Sequence, residues 1–79
     1  MEIIIENVRM AGFLKLYNAF KKQIECYYVY NKTNTVDVFL GDDFLWEIKP
    51  FNGKVCITNK ESNTTITIAV SDFNRILIQ

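Results

Sequence analysis

Four carboxylates lie close enough in sequence to suggest a shared site: Asp37, the pair in Gly41-Asp42-Asp43, and Glu47. Paired carboxylates can hold a hard cation or pass a proton. A Gly-Asp-Asp run between strands is also ordinary turn chemistry with solvated side chains, and that reading is preferred. The chain has no histidine, the side chain that ordinarily titrates near neutral pH. Cys26 and Cys56 fall inside predicted strands with no histidine to activate a thiolate. Two thiols also fall short of the four ligands a structural zinc takes. No catalytic residue, metal ligand or cofactor is therefore assigned, and the chain is expected not to be an enzyme.

A second chemistry is base stacking. Small barrels bind single-stranded nucleic acid on exposed aromatics set beside lysines. Tyr30 with Lys32, Lys49, Lys54 and Lys60 is the candidate set, with Tyr27 and Phe39 as further aromatics. The competing reading is that Tyr28 and Tyr30 fill the rim of the core while the lysines protect strand edges. Nine basic residues are balanced by nine acidic ones, whereas a phosphate-binding protein normally carries a basic excess. The balance favours the second reading.

A third chemistry is apolar contact. Alternation places Tyr27, Val29, Phe39, Leu45, Cys56 and Leu77 on the face opposite the predicted core. That is more apolar surface than a solvated sheet face needs. Either the helix covers this face, or part of it binds a partner protein or a second copy of the chain. Tyr27, Phe39, Leu45 and Leu77 are the partner-binding candidates. A strand edge, at residues 3–5 or 75–78, offers another way to pair with a partner.

These side chains need elements to position them. Ile3, Ile4 and Ile5 suit a short buried strand. Met10, Phe13, Leu14, Tyr17 and Phe20 then fall at helical spacing, predicting an amphipathic helix over about 8–22, with Asn7 as N-cap and Lys21 and Lys22 near its end. Gly12 weakens that helix by about 1 kcal/mol relative to alanine. From residue 24 the period returns to two. The predicted inner face carries Ile24, Cys26, Tyr28 and Tyr30, then Val36, Val38 and Leu40, then Phe44, Trp46 and Ile48. Val55, Ile57, Ile66, Ile68, Val70, Ile76 and Ile78 complete it. Proline and glycine in the Pro50-Phe51-Asn52-Gly53 stretch mark a turn, and residues 59–63 read as a polar loop. The expected class is α+β and β-rich, a single domain over 1–79 with one helix and a five- to six-stranded antiparallel meander over 24–79.

The ending TITIAVSDFNRILIQ, a strand, short turn and strand, resembles the close of small SH3-like or Sm-like barrels. A helix before the sheet is similar to Sm-like proteins. The resemblance covers the last two-thirds of the chain and implies a small, strongly bent barrel. An open sheet with the helix across one face is the alternative.

Hydrophobic residues make up 49% of the 79 positions, enough to build a core without disulfides or a metal. Area scaling gives about 5,000 Å² of folded surface. No stretch has the length of a membrane span or the pattern of a signal peptide, so a cytoplasmic protein with reduced thiols is expected. The leading expectation is a non-enzymatic protein acting stoichiometrically by protein–protein contact. Abundant isoleucine, asparagine, lysine, phenylalanine and tyrosine match AT-rich genomes. They suggest a phage or mobile-element accessory protein that inhibits a host defence factor. The alternatives are a small-barrel single-stranded nucleic-acid binder and an oligomeric protein that sequesters a small ligand such as a nucleotide.

Overall fold

The isoleucine run at the start of the chain forms the interior of a sheet rather than its margin. The structure, a computed structural model, describes residues 2–20, 26–41 and 46–79. Strand β1 (Ile3–Val8) lies between β3 (Val36–Leu40) and β7 (Arg75–Ile78), with β2 (Cys26–Tyr30) outside β3. All three pairings are antiparallel. Ile3, Ile5 and Val8 are fully buried and Ile4, on the other face, is half-buried. A strand apolar on both sides belongs between neighbours. The N-terminal residues 3–5 are thus not an edge, and the expected meander over 24–79 is interrupted by β1. Residues 75–78 do form an edge.

A second sheet, β4 (Trp46–Phe51), β5 (Lys54–Asn59) and β6 (Thr64–Ala69), is a true meander. Its first hairpin turns on Asn52-Gly53, both at positive φ, 48° and 72°. That is the signature of a two-residue type I′ turn, whose twist matches the flanking strands. Pro50 sits inside β4, at the sheet edge, where its missing N–H is tolerated. The described strands number seven, the expected N-terminal strand and six after the helix, but they divide into two sheets and do not close into a barrel.

Inner faces of both sheets and one side of helix α1 (Met10–Phe20) share the core: Ile3, Ile5, Val8, Phe13, Leu16, Val36, Val38, Leu40, Trp46, Val55, Ile57 and Ile68. Strand alternation predicted seven of its ten β members, all but Ile3, Ile5 and Val8 of β1. Val70 and Ile78, expected inside, are exposed. Val70 has left the strand for a 3₁₀ turn, Val70–Asp72, and Ile78 lies beside Ile3 at the end of the edge strand β7. Asn59, expected in a loop, instead ends β5 and is fully buried. Its Oδ1 accepts the N–H groups of Glu61 (3.0 Å) and Ser62 (3.3 Å), which shapes the next loop. Phe44 and Ile24 lie outside the described residues, as do Lys21 and Lys22.

The helix begins at Met10 rather than at the expected residue 8 and is turned about its axis; its expected end at 22 lies outside the described residues. Phe13 and Leu16 are buried, with Gly12 buried and Ala19 half-buried beside them, while Met10, Leu14 and Tyr17 are exposed. Asn7 is not its N-cap. Asn7 has φ 52° within the irregular stretch of the β1–β3 ladder, which shifts register between Ile5 and Val8. The N–H of Phe13 donates to the carbonyl of Arg9 at 2.9 Å, so Arg9 occupies the cap position.

Gly12 has a packing role. A Cβ there would lie 3.1 Å from Val8 Cγ1 and 3.2 Å from Asp72 Cβ. Asp72 has little room to yield, because its carbonyl accepts the Arg9 N–H at 2.7 Å. Gly12→Val is expected to destabilise the fold by about 1–3 kcal/mol through overpacking. Urea unfolding followed by far-ultraviolet circular dichroism checks this.

Candidate partner-binding face

Pairing register decides which exposed side chains become neighbours. Tyr27 lies opposite Phe39, Phe39 opposite Ile4, and Ile4 opposite Leu77. One apolar residue from each of the four strands therefore forms a row straight across the sheet. Flanking residues Ile3, Ile5, Val38 and Leu40 point into the core, so the row lies on the outer face by alternation. The helix packs against β6, β3 and the 3₁₀ turn from the core side. It does not cover the row, so the first of the two readings of this face fails.

The row is ordered at its β2 end. Tyr27 and Phe39 stack with ring centroids 4.6 Å apart and planes within 2°. Tyr27 is exposed, while Phe39, Ile4 and Leu77 are half-buried. Three of the four sequence candidates, Tyr27, Phe39 and Leu77, are thus brought together, and Leu45 lies outside the described residues. Ile4 was missed. An Ile-Ile-Ile run marks a buried strand, but only long-range register shows which neighbours its outward residue joins.

Polar groups border the row on one side. Glu6 and Arg75, paired across β1 and β7, form a two-point contact: Nε to Oε2 at 2.5 Å and Nη2 to Oε1 at 3.3 Å. The Glu6 carboxylate raises the pKa of the Arg75 guanidinium. Asp37 accepts the Asn7 N–H at 2.8 Å and the Asn31 side-chain amide at 2.9 Å. An apolar centre with a polar margin is the ordinary anatomy of a protein interface.

The nucleic-acid candidates are arranged differently. Tyr30 and Lys32 belong to the end of β2 and its turn, on the first sheet. Tyr30 faces the core side of that sheet, with ring contacts to Phe13 and Tyr28. Lys49 and Lys60 both bind Glu47, at 3.2 and 3.1 Å, on the second sheet. These two lysines hold the Glu47 carboxyl below its ordinary value of 4.5, Lys60 contributing first. Lys54 stands at the start of β5, just past the Asn-Gly turn. The five residues are thus divided between two sheets, and two of the lysines already serve a carboxylate.

Other candidate chemistry is equally occupied. The Cys56 thiol lies 3.5 Å from the Thr67 hydroxyl on the outer side of the second sheet. Asp42 and Asp43 lie outside the described residues. Among the described residues, no group of three or more His, Cys, Asp or Glu could hold a metal ion. A cavity of about 240 Å³ is lined by Asn7, Arg9, Thr35, Ser71, Phe73 and Asn74, below the ordinary 300–1,000 Å³ of a ligand pocket. No described helix is long and apolar enough to cross a membrane. No protein-family model matches the chain, and neither a curated protein nor a solved structure matches it.

Proposed function

We propose that this is a non-enzymatic binding protein whose partner docks on the outer face of the four-stranded sheet. The row Tyr27–Phe39–Ile4–Leu77 carries the reading, because it leaves apolar surface from four strands contiguous and facing solvent. Burying it against another protein releases water from that surface, at about 25 cal/mol per Å² of apolar area. The stacked Tyr27 and Phe39 rings are rigid anchors of the kind that dominate binding energies. Asp37 and the Glu6–Arg75 pair would then border the contact and select a partner with complementary charge. The abundance of isoleucine, asparagine, lysine, phenylalanine and tyrosine suits a phage or mobile-element protein, and the partner we propose is a host defence factor that the contact inhibits.

The experiment is capture of partners from bacterial lysate by tagged protein, with and without nuclease. A stoichiometric protein is expected in both halves. Phe39→Asp and Leu77→Asp are expected to weaken its binding at least about tenfold, since each places a charge in the apolar centre. Tyr27→Ala should act in the same direction with little strain on the fold. Capture that survives all three substitutions would remove this face as the site. Capture lost on nuclease treatment, and weakened by Lys49→Glu with Lys54→Glu, would instead favour nucleic acid.

A further inference from the structure

Among the described residues the two sheets have four edges, and three carry a feature that disfavours pairing or have a neighbouring element. Strand β4 carries Pro50, β6 has the helix as a packing neighbour, and β7 is four residues long and begins with Arg75. Proline, cover, shortness and charge are the usual devices against edge-to-edge pairing. The fourth edge, β2, has none of them. It reads Cys-Tyr-Tyr-Val-Tyr, with no charge and no proline. Tyr27 is 53% exposed, Tyr28 40%, Val29 49% and Tyr30 66%. Among the described residues nothing pairs with its outer side.

We infer that β2 pairs antiparallel with β2 of a second copy of this chain, about a two-fold axis at Tyr28, joining two four-stranded sheets into one. The backbone geometry selects this register. The Asn31 N–H donates to the Thr35 carbonyl at 2.8 Å. Antiparallel ladders alternate between bonded and non-bonded pairs, so Val29–Asp37 and Tyr27–Phe39 exchange bonds within the β2–β3 hairpin. The N–H and C=O groups of residues 26, 28 and 30 therefore point to the free edge. These positions are symmetric about Tyr28. A two-fold there sets Tyr28 opposite its own copy and Cys26 opposite Tyr30 of the other chain, satisfying all of them with about six hydrogen bonds.

Side chains fit the same axis. Tyr27 meets Val29 of the second copy on the outer face, an aromatic–β-branched pair of the favourable kind. With no charged residue on β2, no like charges oppose each other across the axis. The four exposed side chains offer about 400 Å² per copy, half of a standard interface side. That area predicts a weak, reversible dimer. The inference concerns the edge and does not depend on the proposed docking face, although the outer rows of two copies would become continuous.

Sedimentation velocity between about 10 µM and 1 mM tests it, with hydrogen exchange by nuclear magnetic resonance on the same samples. A shift from 9.2 kDa to twice that mass is expected with rising concentration. Exchange of the Tyr28 and Tyr30 amides should slow in parallel, while that of Tyr27 and Val29 stays constant. Val29→Lys places a lysine on the edge without touching the core and should weaken dimerisation at least about tenfold. Leu77→Asp, on the opposite edge, should dimerise as the parent while losing the partner of the docking face. A protein that stays monomeric to 1 mM, or a dimer insensitive to Val29→Lys without protection at Tyr28 and Tyr30, overturns the inference.

Discussion

Ile5→Ala is expected to remove about 2–5 kcal/mol of stability, enough to leave much of the protein unfolded at 37 °C. Ile5 is fully buried and stands on the central strand, opposite Val38 on one side and Ile76 on the other. Truncation leaves a cavity where three strands meet, and the pairings on both sides keep the backbone from collapsing into it. A 79-residue domain has only about 4–12 kcal/mol in total. Denaturant titration gives the value. An Ile5→Ala protein within about 0.5 kcal/mol of the parent would mean that β1 is not central.

Trp46→Ala is expected to cost about 3–5 kcal/mol. The indole is almost wholly buried, and its Nε1–H donates to the Gly41 carbonyl at 2.8 Å. Removing it empties the largest side-chain volume in the core and leaves that carbonyl without its indole donor. Trp46→Phe should restore most of the packing but not the hydrogen bond, and fall between the two. If Trp46→Phe and Trp46→Ala lose the same amount, the hydrogen bond matters more than the volume.

Period two in the sequence revealed Val36, Val38, Leu40, Trp46, Val55, Ile57 and Ile68 as core, because alternation is a local property of a strand. Sheet membership was not legible. Whether β1 pairs with β3, with β7 or with neither depends on contacts far apart in sequence, and an Ile-Ile-Ile run satisfies any of these. The helix face was misjudged for a related reason. Periodicity makes Met10, Leu14 and Tyr17 apolar neighbours of Phe13, but the direction from which β6 and the 3₁₀ turn approach selects Gly12, Phe13 and Leu16. Gly12 reads locally as a weak helix residue, and only its spacing from Val8 and Asp72 shows its use.

The docking row shows the same division. Local alternation put Tyr27, Phe39 and Leu77 on one side of their strands. Their meeting in a line required β1 to lie between β3 and β7. Ile4 is the residue that bridges them, and nothing about it in isolation distinguishes it from Ile3 or Ile5. The lysines were harder to place because charge has no period. Glu47 gathers Lys49 by strand spacing and Lys60 by the return of β5.

The central position of β1 also has a kinetic side. The chain emerges from synthesis with β1 first and β7 last. The two are tied not only by their ladder but also by reciprocal 2.8 Å bonds between the backbones of Glu2 and Gln79. The β2–β3 and β4–β5 hairpins close over short loops, whereas β1 must wait for partners drawn from across the sequence. Such topology places the folding rate toward the slow end for small domains, in milliseconds to seconds. During that interval an isoleucine-rich strand is held without one of its two neighbours. Translation speed and chaperone access in the interval before β7 is made therefore bear on how much of this protein reaches its native state.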